Sequence, residues 1–163
     1  MIDAFGTGSF ESVWYWTLTV IAWSVVGSRV LGVPYDMILR ARSRPQVAER
    51  VELLAHIAAD RIGGLYDKVG VPIAAGVGFG LAALFAIAFG NGLELATAAF
   101  LLVFPLAIVV YSTLRLALAV RRQRIGGEGL VRILARRRIW HLAIGTVAIA
   151  TAMSAGLAYH PPY

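Results

Sequence analysis

VGVPIAAGVGFGLAALFAIAF at residues 69–89, the turn GNG at 90–92, and LELATAAFLLVFPLAIVVYSTL at 93–114 decide the fold of this chain. A helix rising 1.5 Å per residue needs about 20 apolar residues to cross a hydrocarbon layer roughly 30 Å thick, and each of these runs has that length. The first holds no charged residue, and the second holds only Glu94, at its edge. Strands of a membrane barrel would alternate polar and apolar residues over about ten positions, which these runs do not, so they read as helices.

Working outward, residues 13–33 and 139–159 form two further runs of the same kind, and the run beginning at 93 extends past Arg115 to about 118. Composition agrees: 59% of the residues are hydrophobic and 15% charged, where globular chains carry roughly 25% charge. Mean hydropathy is +0.74. The predicted fold is all-α, a single integral membrane domain over 1–163 with four transmembrane helices at 13–33, 69–89, 93–118 and 139–159. Residues 1–12 lack a basic segment ahead of an apolar run and a small-residue cleavage site, so no removable signal peptide is expected.

Charge distribution orients the spans. All 15 Lys and Arg residues lie in two regions, Arg29 to Lys68 and Arg115 to Arg138. The N-terminus, Gly90-Asn91-Gly92 and the tail after Tyr159 have none, and the excess of basic residues in cytoplasmic loops places all three outside, hence a bacterial inner membrane protein with periplasmic termini. Trp14, Trp16 and Tyr159 are expected as anchors at the outer interface and Trp140 at the inner one. Arg121, Arg122, Arg124, Arg136, Arg137 and Arg138 then lie where anionic lipid headgroups are, and membrane lipid explains them better than nucleic acid does.

Between the first two spans, Pro45 opens a segment with apolar residues at Val47, Val51, Leu54, Ala58, Ile62 and Leu65, spacings that draw one stripe along a helix. This predicts a separate amphipathic helix at about 45–66, lying on the cytoplasmic face and loosened at its end by Gly63-Gly64. Gly76 and Gly80, continued by Ala83, form a GxxxG face that admits a second helix at close range. Ala148, Ala152 and Gly156 repeat the device in the last span. Pro105 should kink the third span.

The residues that carry chemistry are few. No cysteine is present, which removes disulfides, thiolate zinc sites and cysteine-ligated iron–sulfur clusters. His56, His141 and His160 show no paired metal-ligand spacing, so no metal site is expected. His56 and Asp60, four apart, are placed to interact. There is no GxSxG elbow or phosphate loop, and no span has an ionisable residue near its centre to serve as a relay. The single cofactor candidate is His141, with Gly145 one turn on leaving room for a flat ligand such as a chlorin; a bound lipid or quinone is also compatible, and no cofactor is otherwise evident.

At Trp14-Tyr15-Trp16, at Val30-Leu31-Gly32-Val33-Pro34-Tyr35-Asp36-Met37, at Phe100 to Pro105 and at Glu128 to Trp140, the chain resembles a family of small bacterial membrane proteins labelled as a component of the SufBCD complex. That resemblance implies a link to iron–sulfur cluster assembly but brings no catalytic residues with it. The expectation is a non-catalytic accessory or scaffold subunit of a larger inner-membrane assembly, with a photosynthetic reaction centre–light-harvesting core or a respiratory complex as host and other integral membrane subunits as partners. The alternative is a membrane recruiter for SufBCD-type assembly proteins. A small transporter, the remaining class, would make Glu94, His56 or His141 indispensable.

Overall fold

The computed structural model describes residues 8–10 and 12–159. His160 and residues 161–163, in the tail after Tyr159, lie outside the described residues. Five helices follow in order: α1 Val13–Ser28, α2 Tyr35–Ala41, α3 Pro45–Gly90, α4 Glu94–Gln123 and α5 Gly127–Tyr159. A hairpin of two short strands, β1 Arg29–Val30 and β2 Val33–Pro34, stands between α1 and α2. Three of the helices, α3, α4 and α5, are long and apolar enough to cross a membrane. At 16 residues, α1 is roughly 24 Å long.

The first apolar run therefore does not stay helical to residue 33. Val30 and Val33 pair across an antiparallel hairpin, with Leu31 at φ 51° and Gly32 at φ 74°. Positive φ at both central residues is what a two-residue primed turn requires, because only that twist matches the flanking strands. Val30, Leu31 and Val33 are buried, so the hairpin turns all three side chains into the core.

A second difference concerns residues 45–66. They do not form a separate helix on the membrane surface but the first half of α3, a helix of 46 residues and roughly 69 Å. Gly63 does not loosen it. Arg121 of α4 lies where a Cβ on Gly63 would be, so the missing side chain is a slot for a neighbouring one. The buried face also differs from the predicted stripe: Val51, Ala55, Ala59 and Gly63 are buried, whereas Leu54 and Leu65 are exposed. Small residues at intervals of four let α4 come close, and the larger leucines are left on the other side. Pro72 and Pro105 both sit inside continuous helices.

The main core joins Val30, Val33 and Ile38 to Val51, Ala55 and Ala59 of α3, Leu116, Ala117 and Val120 of α4, and Leu130, Val131 and Leu134 of α5. It lies at the end of the bundle where the basic residues collect. Each fully buried Val, Leu or Ile there contributes about 1.5–3 kcal/mol relative to water exposure. The opposite end is held by a small cluster of Phe10, Ala98 and Ala152, with Tyr15 and Trp16 against it. Along the apolar lengths between, large side chains such as Val71, Phe79, Val110 and Val147 face outward.

Gly32→Val is expected to destabilise the protein by about 1–3 kcal/mol. The position has positive φ, and the added Cβ would meet the Ala58 Cβ at 3.3 Å. Unfolding in micelles with increasing sodium dodecyl sulfate, followed by circular dichroism, measures the loss.

Candidate functional site

Helix α5 supplies the face on which two sites are built. His141, Gly145, Ala148 and Ala152 are its buried residues beyond the basic segment, at intervals of four, three and four. Trp23 of α1 lies over Gly145, its ring carbons 2.7 Å from where a Cβ would stand. About three turns further along, Gly156 faces Phe10 in the same way, at 3.1 Å. The small-residue face of the last span is thus occupied from within the chain. Gly76 and Gly80 of α3 have open space around them, and Ala83 is half-buried.

At the basic end, the Arg138 Nε donates to the Gly27 carbonyl at 3.1 Å, and its guanidinium lies 3.3 Å from the centroid of the Tyr35 ring, a cation–π contact. Arg138 thereby ties α5 to the end of α1 and to the start of α2. Arg137 donates to the Ser112 hydroxyl of α4 at 2.7 Å. Between Arg138 and Gly145, a fissure of about 110 Å³ opens between α1 and α5, lined by Trp23, Val26, Gly27, His141, Leu142, Gly145, Thr146 and Ile149. His141 is 2% exposed, and neither of its ring nitrogens has a hydrogen-bond partner. Leaving a buried donor unsatisfied costs about 1–3 kcal/mol. A macrocycle such as a chlorin does not fit this space, because the room expected over Gly145 is filled by Trp23.

Arg121 has protein partners as well. It donates to Asp67 at 2.7 Å and stands 3.8 Å from Asp60, its side chain lying across Gly63. Together with Arg137 and Arg138 it makes three of the six arginines expected at anionic lipid that the protein itself engages. Arg122, Arg124 and Arg136 are exposed. Nearby, the Gly127 N–H at the start of α5 donates to Glu52 of α3 at 2.7 Å, a carboxylate set against the positive end of a helix. His56 bonds the Glu52 carbonyl through Nδ1 at 2.9 Å, while Asp60 turns to Arg121, so the expected pair between those two is not formed. No protein-family model, characterised protein or solved structure matches the chain.

The opposite end uses the aromatic residues read as anchors. Trp14 is exposed there, as Trp140 is at the basic end. Trp16 donates its indole N–H to the Phe10 carbonyl at 2.8 Å, and the Tyr159 hydroxyl meets that of Thr97 at 3.1 Å. The Phe10 N–H donates to Glu94 at 2.9 Å, so that carboxylate joins the lead-in of α1 to the start of α4. Among the described residues no group of three or more His, Asp or Glu side chains is placed to hold a metal ion.

Trp23, Gly27 and Ser112 escaped the sequence reading, as did the pairing of Arg121 with Asp60 and Asp67. One signal was present for the last two. Asp60, Gly63 and Asp67 fall on one helical face, two carboxylates around a gap the size of a side chain. Arg121→Met should cost about 1 kcal/mol, since the ion pairs are part-exposed and the stem packs over Gly63. Arg122→Met should stay within about 0.5 kcal/mol of wild type, as read by the same detergent unfolding.

Proposed function

We propose that this chain is a non-catalytic accessory subunit of a larger bacterial inner-membrane assembly, crossing the bilayer four times with its basic end in the cytoplasm. Supporting a fourth crossing, α1 with its lead-in runs beside α5 from Gly27, at Arg138, to Phe10, at Gly156. That is roughly 27 Å along α5, a mismatch that bilayer thinning absorbs at modest cost. The first half of α3 is then an amphipathic cytoplasmic extension of the second span, continuous with it. In single-cysteine variants of this cysteine-free chain, Asn91→Cys is expected to react with a membrane-impermeant maleimide from the periplasm. Arg122→Cys should react only after the membrane is opened. Labelling of both from one side would overturn the orientation.

The observation that carries the accessory role is the bareness of α3. Only 6% of its most apolar stretch is buried, against 22% and 17% for those of α4 and α5, and Gly76, Gly78 and Gly80 lie with nothing on them. Lipid offers no hydrophobic incentive for helices to meet, so close approach through small residues is what holds them together. A glycine face left to lipid forgoes that contact. An integral membrane partner supplies it. Purified gently from native membranes, the chain should migrate with a larger membrane complex, and Gly76→Leu with Gly80→Leu should release it as a monomer of unchanged helix content. Migration of the wild type as a free monomer would defeat the proposal.

A second reading has its own observation. Leu53, Leu54, Ile57 and Leu65 on the first half of α3 are exposed large apolar side chains, interleaved with Arg50, Arg61 and Lys68 in the helical order. Such a surface on the water side suits a membrane recruiter of soluble proteins, the role that resemblance to the SufBCD-associated family implies. The same purification distinguishes the two, since a recruiter brings down soluble partners and keeps them in the glycine variant.

A further inference from the structure

We propose that the groove between α3 and α4 binds an anionic phospholipid of the phosphatidylglycerol type, its headgroup in a hollow at Asp67 and Arg122 and one acyl chain laid along Ala74 and Gly78. The inference rests on the chain being embedded in lipid and not on which assembly it joins.

The hollow measures about 330 Å³ and is lined by Asp67 of α3 and by Leu118, Arg121 and Arg122 of α4. That is roughly ten times the ~30 Å³ share of one water, which is room for a headgroup rather than for a single ion. Arg121 is already satisfied there, 2.7 Å from Asp67 and 3.8 Å from Asp60. Arg122 is exposed, and no carboxylate among the described residues pairs with it. Arg115, about two turns nearer the apolar zone, has no carboxylate either. It donates to the Tyr111 hydroxyl at 3.0 Å, and its guanidinium lies 5.8 Å from the centroid of that ring. Lys68 is exposed beside Asp67. Two carboxylates, Asp60 and Asp67, thus stand among four cations, Lys68, Arg115, Arg121 and Arg122, and the excess is positive. A lipid phosphate with no ammonium beside it offsets that excess, whereas a zwitterionic headgroup brings no net charge. Asp67 is an acceptor for a glycerol hydroxyl and repels a second anionic group.

The surface leading from the hollow into the apolar zone points to a lipid rather than a free phosphate. On α3, Phe85 stands 18 residues from Asp67, and on α4, Phe100 stands 18 residues from Leu118. Eighteen residues are about five whole turns, so both pairs lie on one face of their helix. Phe85 and Phe100 are in contact, ring centroids 5.6 Å apart, so one groove joins the hollow to that contact. On the α3 side Ala74 and Gly78 fall within about 20° of the line from Asp67 to Phe85. Nothing in the chain covers Gly78. These two residues lie roughly 10 and 16 Å from Asp67 along the helix, the depth that one leaflet occupies in a hydrocarbon layer about 30 Å thick. Gly76 and Gly80 point to the other side of α3, so a lipid here leaves open the face on which the accessory role rests.

The test uses the full chain, released intact from detergent micelles in a mass spectrometer. Phosphatidylglycerol, phosphatidylethanolamine and phosphatidylcholine with the same acyl chains are added one at a time. Phosphatidylglycerol should be retained as a single adduct, about fivefold or more tighter than the other two. Arg122→Met and Arg115→Met should each weaken it about fivefold, the effect of one cation near a headgroup. Gly78→Phe, which fills the acyl path without touching a charge, should weaken it to a similar degree. Arg136→Met, which removes an exposed cation on α5, should leave it unchanged. If Gly78→Phe does not fold, the arginine variants decide. The proposal is overturned if phosphatidylethanolamine or phosphatidylcholine binds as tightly, or if neither Arg122→Met nor Arg115→Met weakens the adduct. It is also overturned if Arg136→Met costs as much as Arg122→Met, since the attraction is then diffuse. Displacement of the lipid by inorganic phosphate assigns the hollow to a free anion and likewise overturns it. A chain that joins a membrane complex yet fails here loses this inference alone, and one that holds phosphatidylglycerol as a free monomer loses the accessory role alone.

Discussion

Burying apolar surface stabilises a fold only where the alternative is water, and this constraint divides the molecule in two. At the end that collects the basic residues, α2, the hairpin and the extensions of α3, α4 and α5 enclose the larger of the two clusters of buried apolar side chains among the described residues. There the hydrophobic effect acts at full strength. Along the apolar lengths side chains of the same kinds face outward, an arrangement that suits a surround as apolar as leucine, such as lipid. The three long helices are thus gripped at their basic end and run side by side from it, the far ends of α4 and α5 held by a few specific contacts around Phe10, Glu94, Thr97 and Tyr159 and that of α3 by Phe85 and Phe89 against Phe100 of α4.

Glycine does two kinds of work in this chain. Gly63, Gly145 and Gly156 each make room for one long side chain from another element, Arg121, Trp23 and Phe10 respectively. These contacts set the spacing of α3 to α4 and of α1 to α5. Gly76, Gly78 and Gly80 make room for nothing within the chain. Identical residues in similar GxxxG-like series thus serve internal assembly in α5 and stay uncovered in α3, and the contrast motivates a partner for α3.

The basic residues divide in the same manner. Arg121 is spent on two aspartates, Arg137 on a serine and Arg138 on a backbone carbonyl and a tyrosine ring. Each of these joins two helices where they leave the apolar zone, and Arg138 also borders the fissure at His141. Arg122, Arg124 and Arg136 face outward.

By itself the sequence determined that the chain is helical and that α3, α4 and α5 are long and apolar enough to cross a membrane. Unbroken hydrophobic length is a local property, and a backbone in lipid has to satisfy its own hydrogen bonds. The clustering of charge in two regions was equally legible. Tertiary structure alone decided that α1 stops at Ser28, that α3 continues through Gly63-Gly64, which face of α3 is buried, and that His141 lies in a fissure roofed by Trp23. Each of these depends on a residue more than twenty positions away: Ala58 against Gly32, Arg121 against Gly63, Trp23 against Gly145. A glycine in a one-dimensional reading is equally a break or a slot, and only the side chain that fills it tells which.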